Sequence, residues 1–417
     1  MAYEVGLIGH KQGYYDQDSH LLLGCGSCHV DVKTGLVEAK WQPSYTLVVP
    51  LDWTTGIYLA KFTDINGLET YVPFDVLGNR HSLYVAVTPD TTYAAYNTWG
   101  GYSLYDAESA ARGSEVVRLP RGVKVSLDRP YTLTQGASQV LVYEINAVRW
   151  MERQGYDLSY ISNIDLHEDP AQLLNHQAYL SLGHDEYWTR EMRDGLENAR
   201  AHGVNLAFLG ADAAYWQMRF DADSAGIPDR IIVCYKVATA DGDLAADPLY
   251  GKDNSRVTAL WRDPVIGRPE NALIGIMYSD LTHQRPGFPW HVSLGVHSPL
   301  MDGSGLQAGQ SYGCDLVGYE WDHAFPNGAA PRGLHVLAES ATVTDSGKHD
   351  FSNTTYYIAS SGAFVFASGS IYWTLALDDY RFSSDNLCAH SLPVVPAIQK
   401  LMANIMRTLA VLHPHIG

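Results

Sequence analysis

Apolar and polar positions alternate with period two from Pro43 to Phe74, in the runs Tyr45-Thr-Leu-Val-Val, Gly56-Ile-Tyr-Leu-Ala-Lys-Phe and Thr70-Tyr-Val-Pro-Phe. Pro50, Asp52-Trp53, Asn66-Gly67 and Gly78-Asn79 punctuate them. Such alternation, broken by turn residues, predicts half-buried strands and hence a β-sandwich over residues 1–78. After Asn79 the period changes. Ser82 to Thr88 is a continuous apolar run of buried-strand type, and Ala147, Trp150 and Met151 recur at helical spacing up to Gly155. Leu158 to Ile161 and Gln177 to Leu182 predict further strands. Thr189 caps a helix carrying Met192, Leu196 and Ala199 on one stripe, Gly203 stops it, and Val204 to Leu209 is the next strand.

Strands separated by helices predict a parallel sheet with right-handed crossovers, here built from residues 79–220 and 355–417. Its late parts are the strand-like run Gly362-Ala-Phe-Val-Phe-Ala-Ser-Gly and a last helix, Val395 to Leu412, with Ile398, Leu401, Met402, Ile405 and Met406 on one face. Residues 221–354 are loop-rich, with clusters such as Asp241-Gly-Asp and Arg285-Pro-Gly-Phe-Pro, and predict a β-rich insertion. The fold class expected is therefore α/β plus β.

Composition narrows the function. Of 417 residues 46% are hydrophobic and 18% charged, an ordinary globular mixture. The formal charge of −18 repels phosphate backbones and anionic lipid, so neither nucleic acid nor a membrane is expected as a partner. No apolar run approaches the roughly 18 residues of a spanning helix, and the first residues lack the basic and apolar parts of an export signal. A cytoplasmic protein is the expectation. Five cysteines, an odd number, fit reduced thiols. Cys25-Gly-Ser-Cys28-His29 has the form of a haem attachment site, but without export it reads as a Gly-rich turn with two buried thiols, and no haem is expected.

In an open parallel sheet ligands bind beyond the carboxyl ends of the strands. The residues following the predicted strands are loaded with chemistry. They run Asp90-Thr-Thr-Tyr93-Ala-Ala-Tyr96-Asn97-Thr-Trp99, then Gly183-His184-Asp185-Glu186-Tyr187-Trp188, then Gly210-Ala-Asp212-Ala-Ala-Tyr215-Trp216, with Trp373 and Asp378-Asp379-Tyr380 after the late strand. His184, Glu186 and Asp212 are the candidate acid–base groups, and a neutral imidazole at His184 could take a proton from activated water. Tyr96, Asn97, Trp99, Trp188, Tyr215 and Trp216 are the candidate aromatic and amide lining for a small-molecule substrate. The same side chains are also the kind that pack at sheet edges without any chemistry. No Gly-x-Ser-x-Gly elbow is present, and Gly210-Ala-Asp-Ala-Ala holds no cysteine nucleophile at the strand-to-helix turn. His167-Glu168 does not continue into a zinc-binding helix, and no glycine-rich phosphate loop appears, so no nucleotide is expected.

The runs Thr92-Tyr-Ala-Ala-Tyr-Asn-Thr-Trp-Gly-Gly-Tyr-Ser-Leu-Tyr, Arg149-Trp-Met-Glu-Arg-Gln-Gly-Tyr-Asp, Gly183-His-Asp-Glu-Tyr-Trp, Ala207-Phe-Leu-Gly-Ala-Asp-Ala-Ala-Tyr-Trp and Val317-Gly-Tyr-Glu resemble the catalytic region of the N,N-dimethylformamidase large-subunit family. The resemblance implies a β-sandwich followed by an amidotransferase-like α/β domain. It also implies a mononuclear iron held by two tyrosine phenolates and a glutamate, which polarises an amide carbonyl and activates water. Tyr187, in the His-x-Glu-Tyr motif, carries over as one phenolate, with Tyr143 or Tyr215 for the second. Ser255-Arg-Val-Thr-Ala ahead of Leu260-Trp261-Arg262 lacks the family's acidic residue, leaving Glu186, Glu320 and Asp212 as candidate carboxylates, of which Glu320 is assigned to the metal. The function expected is hydrolysis of an amide-type C–N bond. A metal-free cyclase or lyase, or a non-catalytic small-molecule-binding relative, would use the same aromatic rim. Numerous aromatics also make a homo-oligomer an expectation.

Overall fold

Successive side chains of a strand face opposite ways, so a run that is apolar throughout is buried only between two layers. Tyr84–Thr88 (β1) meets that condition and is buried along its whole length. The computed structural model describes residues 28–41, 45–78, 81–105, 107–112, 115–283, 286–380 and 394–411. Within them β1 belongs to a seven-stranded sheet with Leu158–Ser162 (β2), Ala178–Gly183 (β3), Asn205–Gly210 (β4), His335–Val343 (β5), His349–Ile358 (β6) and Phe364–Ala367 (β7). The order across the sheet is β5-β6-β7-β4-β3-β1-β2. β2, β1, β3, β4 and β7 run parallel, and β5 and β6 add antiparallel at one edge.

Helices Asp90–Tyr96 (α1), Ile145–Gln154 (α2), Arg190–Ala201 (α3) and Pro396–Leu409 (α4) flank this sheet. On one face Ala86, Leu180, Leu182 and Phe366 meet Trp150 and Met151 of α2 and Ile398, Leu401 and Ile405 of α4. On the other, Val85, Val87, Tyr179 and Phe208 meet Met192, Leu196 and Ala199 of α3. The start of α3 follows its sequence: Thr189 Oγ1 accepts the Met192 N–H at 3.2 Å, satisfying a donor that the first turn leaves open. The chain leaves β1 for β2 on one side and enters β3 on the other. The strand order thus reverses between β1 and β3, and beyond their carboxyl ends is where an open α/β sheet is expected to place a ligand site.

The strands expected at 82–88, 177–182, 204–209 and 363–369 share this one sheet, as β1, β3, β4 and β7. β5 lies in the stretch assigned to an insertion, yet its alternation of buried and exposed residues suits an antiparallel edge strand covered on one face. Of the sandwich expected over residues 1–78, the described residues hold two separate antiparallel pairs, His29–Asp31 with Leu36–Glu38 and Gly56–Thr63 with Glu69–Val76. Residues 1–27 lie outside the described residues. Tyr45 to Val49, although apolar, is exposed and joins no strand.

β3 and β4 end in register at Gly183 and Gly210, where the backbones approach closely. A Cβ on Gly210 would stand 1.7 Å from the Gly183 carbonyl oxygen. Gly210→Ala is expected to destabilise the protein by about 3 kcal/mol, because backbone rather than a pliable side chain must move. The check is the midpoint of chemical unfolding at unchanged slope, and an unmoved midpoint would show that the two strands part there at no cost.

The expectation of reduced thiols is corrected. Cys28 and Cys314 are disulfide-bonded, whereas Cys234 is a buried free thiol. Spacing along the chain does not reveal which sulfurs the fold brings within bonding reach. Cys25 and Cys388 lie outside the described residues. Among the described residues no helix is long and apolar enough to cross a membrane.

Candidate active site

β3 ends at Gly183, whose φ of +58° turns the chain in a way that L side chains resist. Its bare Cα also admits Glu144, since a Cβ there would meet Glu144 Oε1 at 2.3 Å. The next three residues alternate in direction. Asp185 turns back to the sheet, accepting from Ser181 Oγ at 2.8 Å and the Tyr179 hydroxyl at 3.2 Å. His184 and Glu186 point the other way. The backbone of Glu186 is pinned from two sides: its N–H donates to Thr92 Oγ1 of α1 at 3.0 Å, and its carbonyl accepts the Tyr215 N–H at 2.9 Å.

Two more carboxylates arrive from elsewhere. Asp212 follows β4 at a φ of +56°, a left-handed conformation that aspartate tolerates better than most residues, and its N–H donates to Asp322 Oδ1 at 2.8 Å. Glu320 stands on the strand Tyr319–His323, which pairs with Met277–Thr282. That strand is tied to the segment after β7 through Gly318 N–H, which donates to Ser370 Oγ at 3.0 Å.

All four side chains are buried, and His184 Nε2 lies 3.1 Å from Glu320, 3.3 Å from Glu186 and 3.7 Å from Asp212. These approaches lack hydrogen-bond geometry. Both nitrogens of His184, Oε2 of Glu186, Oδ1 of Asp212 and Oε2 of Glu320 have no hydrogen-bond partner. So many unsatisfied buried atoms in one place need a ligand, a proton or an ion. Burial alone would lower the imidazole of His184, but Glu320, Asp212 and Glu186 outweigh it and hold it well above its ordinary value. The three carboxylates around it thus favour the imidazolium form of His184. Burial and the charges of Glu186 and Glu320 push Asp212 up, whereas His184 overcomes the burial of Glu186 and brings that carboxyl below its usual range.

Phenols complete the cluster on the opposite side of Glu186. The Tyr105 hydroxyl donates to Glu186 Oε1 at 2.7 Å, and the Tyr187 hydroxyl donates to that of Tyr105 at 2.7 Å. Tyr96 stacks on Tyr105 with ring centroids 4.3 Å apart. Tyr143 and Tyr319 both stand edge-on to the His184 ring, centroids 6.2 Å away. Glu186 therefore joins a phenolic group at Oε1 to an imidazole and carboxylate group at Oε2.

Of the residues singled out from sequence, the fold gathers His184, Glu186, Asp212, Glu320, Tyr96 and Tyr143. Tyr187 reaches Glu186 only through Tyr105. Tyr215 packs between Trp216 and Tyr278, with the Arg262 guanidinium over its ring. Asn97 donates to the Pro130 carbonyl, Trp99 packs on Trp41, and Trp188 is buried in the core beside Phe208. Asp378 pairs with Arg149 and Arg153. Tyr105, Tyr319, Glu144 and Lys236 were not anticipated. Tyr105 ends the aromatic run that begins at Thr92, and Tyr319 precedes Glu320 in its motif, so both carried a signal; Glu144 and Lys236 carried none. Glu144 is fully buried with both carboxyl oxygens unpartnered, and burial pushes it well up. Burial lowers Lys236 to about 8 against the opposing pull of Glu186.

The sequence model of the family described as N,N-dimethylformamidase beta subunit-like, C-terminal, matches residues 4–387. No curated protein matches the chain. Among solved structures the mmIFT52 N-terminal domain is similar over 65% of this chain and 91% of that one, at 13% identity and a TM-score of 0.31. A likeness that low carries no argument about this chain.

Proposed function

The chain belongs to the N,N-dimethylformamidase beta subunit-like family, and on that premise we propose that it hydrolyses the amide-type C–N bond of a small organic molecule at the His184, Glu186, Asp212 and Glu320 cluster. The observation that carries the reading is the buried Glu186 carboxylate, with phenols at one oxygen and an imidazole and two further carboxylates at the other. An iron held by two phenolates and a glutamate fits this arrangement. As donors we take Tyr96, Tyr105 and Glu186 ahead of Tyr187, Tyr143 and Glu320; the reading is supported by the Tyr105 hydroxyl on Glu186, the stacking of Tyr96 on Tyr105, and the Tyr187 hydroxyl turned to Tyr105. When bound, such an ion supplies a Lewis acid for the amide carbonyl.

The remaining steps belong to the chain. Glu320, its free Oε2 directed at the imidazole, takes a proton from the attacking water as the C–O bond forms. The imidazolium of His184 gives its proton to the departing nitrogen as the C–N bond breaks, and recovers one from Glu320. Asp212, whose carboxyl is pushed towards its neutral form, donates a hydrogen bond to the same region. The rings of Tyr96, Tyr143 and Tyr319 around His184 favour a small planar amide. The family takes its name from a subunit, which supports an assembly of more than one chain.

A second donor set favours a different ion. Ligand atoms of His184, Asp212 and Glu320 lie within 4.8 Å of one another, a nitrogen and oxygen set suited to a divalent cation. Metal content and the visible spectrum of the purified protein separate the two, since phenolate bound to ferric iron absorbs visible light. The expected result is stoichiometric iron, a visible band and release of amine from simple amides. A colourless metal-replete protein points to the second set, and failure of the iron-loaded protein to turn over any amide would sink the hydrolase reading.

A further inference from the structure

Lys236 occupies a conformation its residue type disfavours. Its φ is +52°, in the left-handed region, and the two residues beside it are both held by Thr258: Tyr235 N–H donates to Thr258 Oγ1 at 2.7 Å and Val237 N–H to the Thr258 carbonyl at 3.2 Å. Held on both sides, the backbone turns at Lys236 and sends the side chain among aromatic rings. Its Nζ lies 3.4 Å from the ring centroid of Tyr105, 5.3 Å from that of Tyr187 and 5.1 Å from that of Trp216. The ammonium thus faces three rings, and Glu186 attracts it as well.

We propose that Lys236 is a positioning residue that sets how strongly Tyr105 donates electrons to a bound metal, an inference that rests on the reading of Tyr96, Tyr105 and Glu186 as the metal donors. A cation over the face of a ring is attracted by its π electrons. Over a ring carrying a phenolate, the positive charge also stabilises the electrons the oxygen would share with the metal. Tyr105 thereby becomes a weaker donor than Tyr96, which stacks on it, and the two phenols at the site are made unequal by one lysine.

The test uses full-length protein loaded with ferric iron and compares Lys236→Met and Lys236→Arg with the parent. Removing the charge raises the energy of the phenolate electrons, so the visible charge-transfer band of Lys236→Met is expected to move to longer wavelength. Lys236→Arg, which keeps the cation, is expected to return the band towards its original position. Lys236→Gln, which removes the charge but keeps a polar chain of similar reach, takes the place of the methionine variant if that one does not fold. An unmoved band in an iron-replete Lys236→Met or Lys236→Gln overturns the proposal while leaving the phenolate site intact. A parent protein that binds iron without any visible band overturns both.

Discussion

Tyr105→Phe is expected to weaken and shift the visible band of the iron-loaded protein, leaving the Tyr96 phenolate alone to supply it, and to lower kcat/KM on an amide by roughly 10³-fold, about 4 kcal/mol of lost transition-state stabilisation. One oxygen atom is removed, but it sits at a junction. The Tyr105 hydroxyl donates to Glu186 Oε1 and receives the hydroxyl of Tyr187, so the variant leaves a buried acceptor and a buried donor without partners. Each costs about 1–3 kcal/mol, which loosens Glu186 as well as removing a phenolate. Tyr187→Phe deletes the neighbouring hydroxyl and should keep most of the bound iron and its colour. The measurement is the spectrum beside the metal content of the two variants. An unchanged band in Tyr105→Phe beside a weakened and shifted band in Tyr187→Phe would reverse the assignment of the two phenols.

Glu320→Gln is expected to lower kcat by roughly 10² to 10⁴-fold with little change in KM, the range for loss of a positioned acid–base group. The glutamine has nearly the same shape, so the strand Tyr319–His323 and its pairing with Met277–Thr282 should persist. What disappears is the negative charge 3.1 Å from His184 Nε2. That charge is the largest of the influences that raise the imidazole against the cost of burying it. His184→Ala is expected to fall in the same range, and the double variant to be little worse than the poorer single one, because the two residues handle one proton between them. Independent, multiplicative losses would show that the pair does not act as a unit. Iron content measured alongside guards the interpretation: loss of metal in Glu320→Gln would favour the second donor set.

The alternation His184-Asp185-Glu186 shows how a short motif determines local geometry without revealing its target. Extended chain sends every second side chain the same way, which places His184 and Glu186 on one side and Asp185 on the other. Nothing in those residues says that Glu186 will meet Tyr105, whose own neighbours are fixed by α1 and the turn that follows it. Tyr187, adjacent in the motif and of the right chemical type, was the natural choice from sequence for a metal donor. In the fold its hydroxyl goes to Tyr105, because the next residue in an extended segment points away from the Glu186 side chain.

By itself the sequence determined the parts of this protein whose cause lies within a few residues. The all-apolar run of β1 demanded burial on both faces, Thr189 supplied the oxygen that opens α3, and Gly155 took the left-handed turn that closes α2, at a φ of +73°. These follow from steric limits and from hydrogen bonds that a helix end cannot make internally. Tertiary structure alone decided which strand ends meet. Tyr96 and Tyr105, His184 and Glu186, Asp212, and Glu320 come from four separated stretches, and their distances depend on the order β2-β1-β3-β4-β7 and on links such as Asp212 N–H to Asp322 and Gly318 N–H to Ser370. The same holds for Lys236, whose inward turn is set by Thr258, and for Cys28 and Cys314, whose disulfides spacing did not announce. Backbone periodicity is a local property, whereas the meeting of charged groups in a buried site is fixed by the packing of elements far apart in the chain, which no window of neighbouring residues contains.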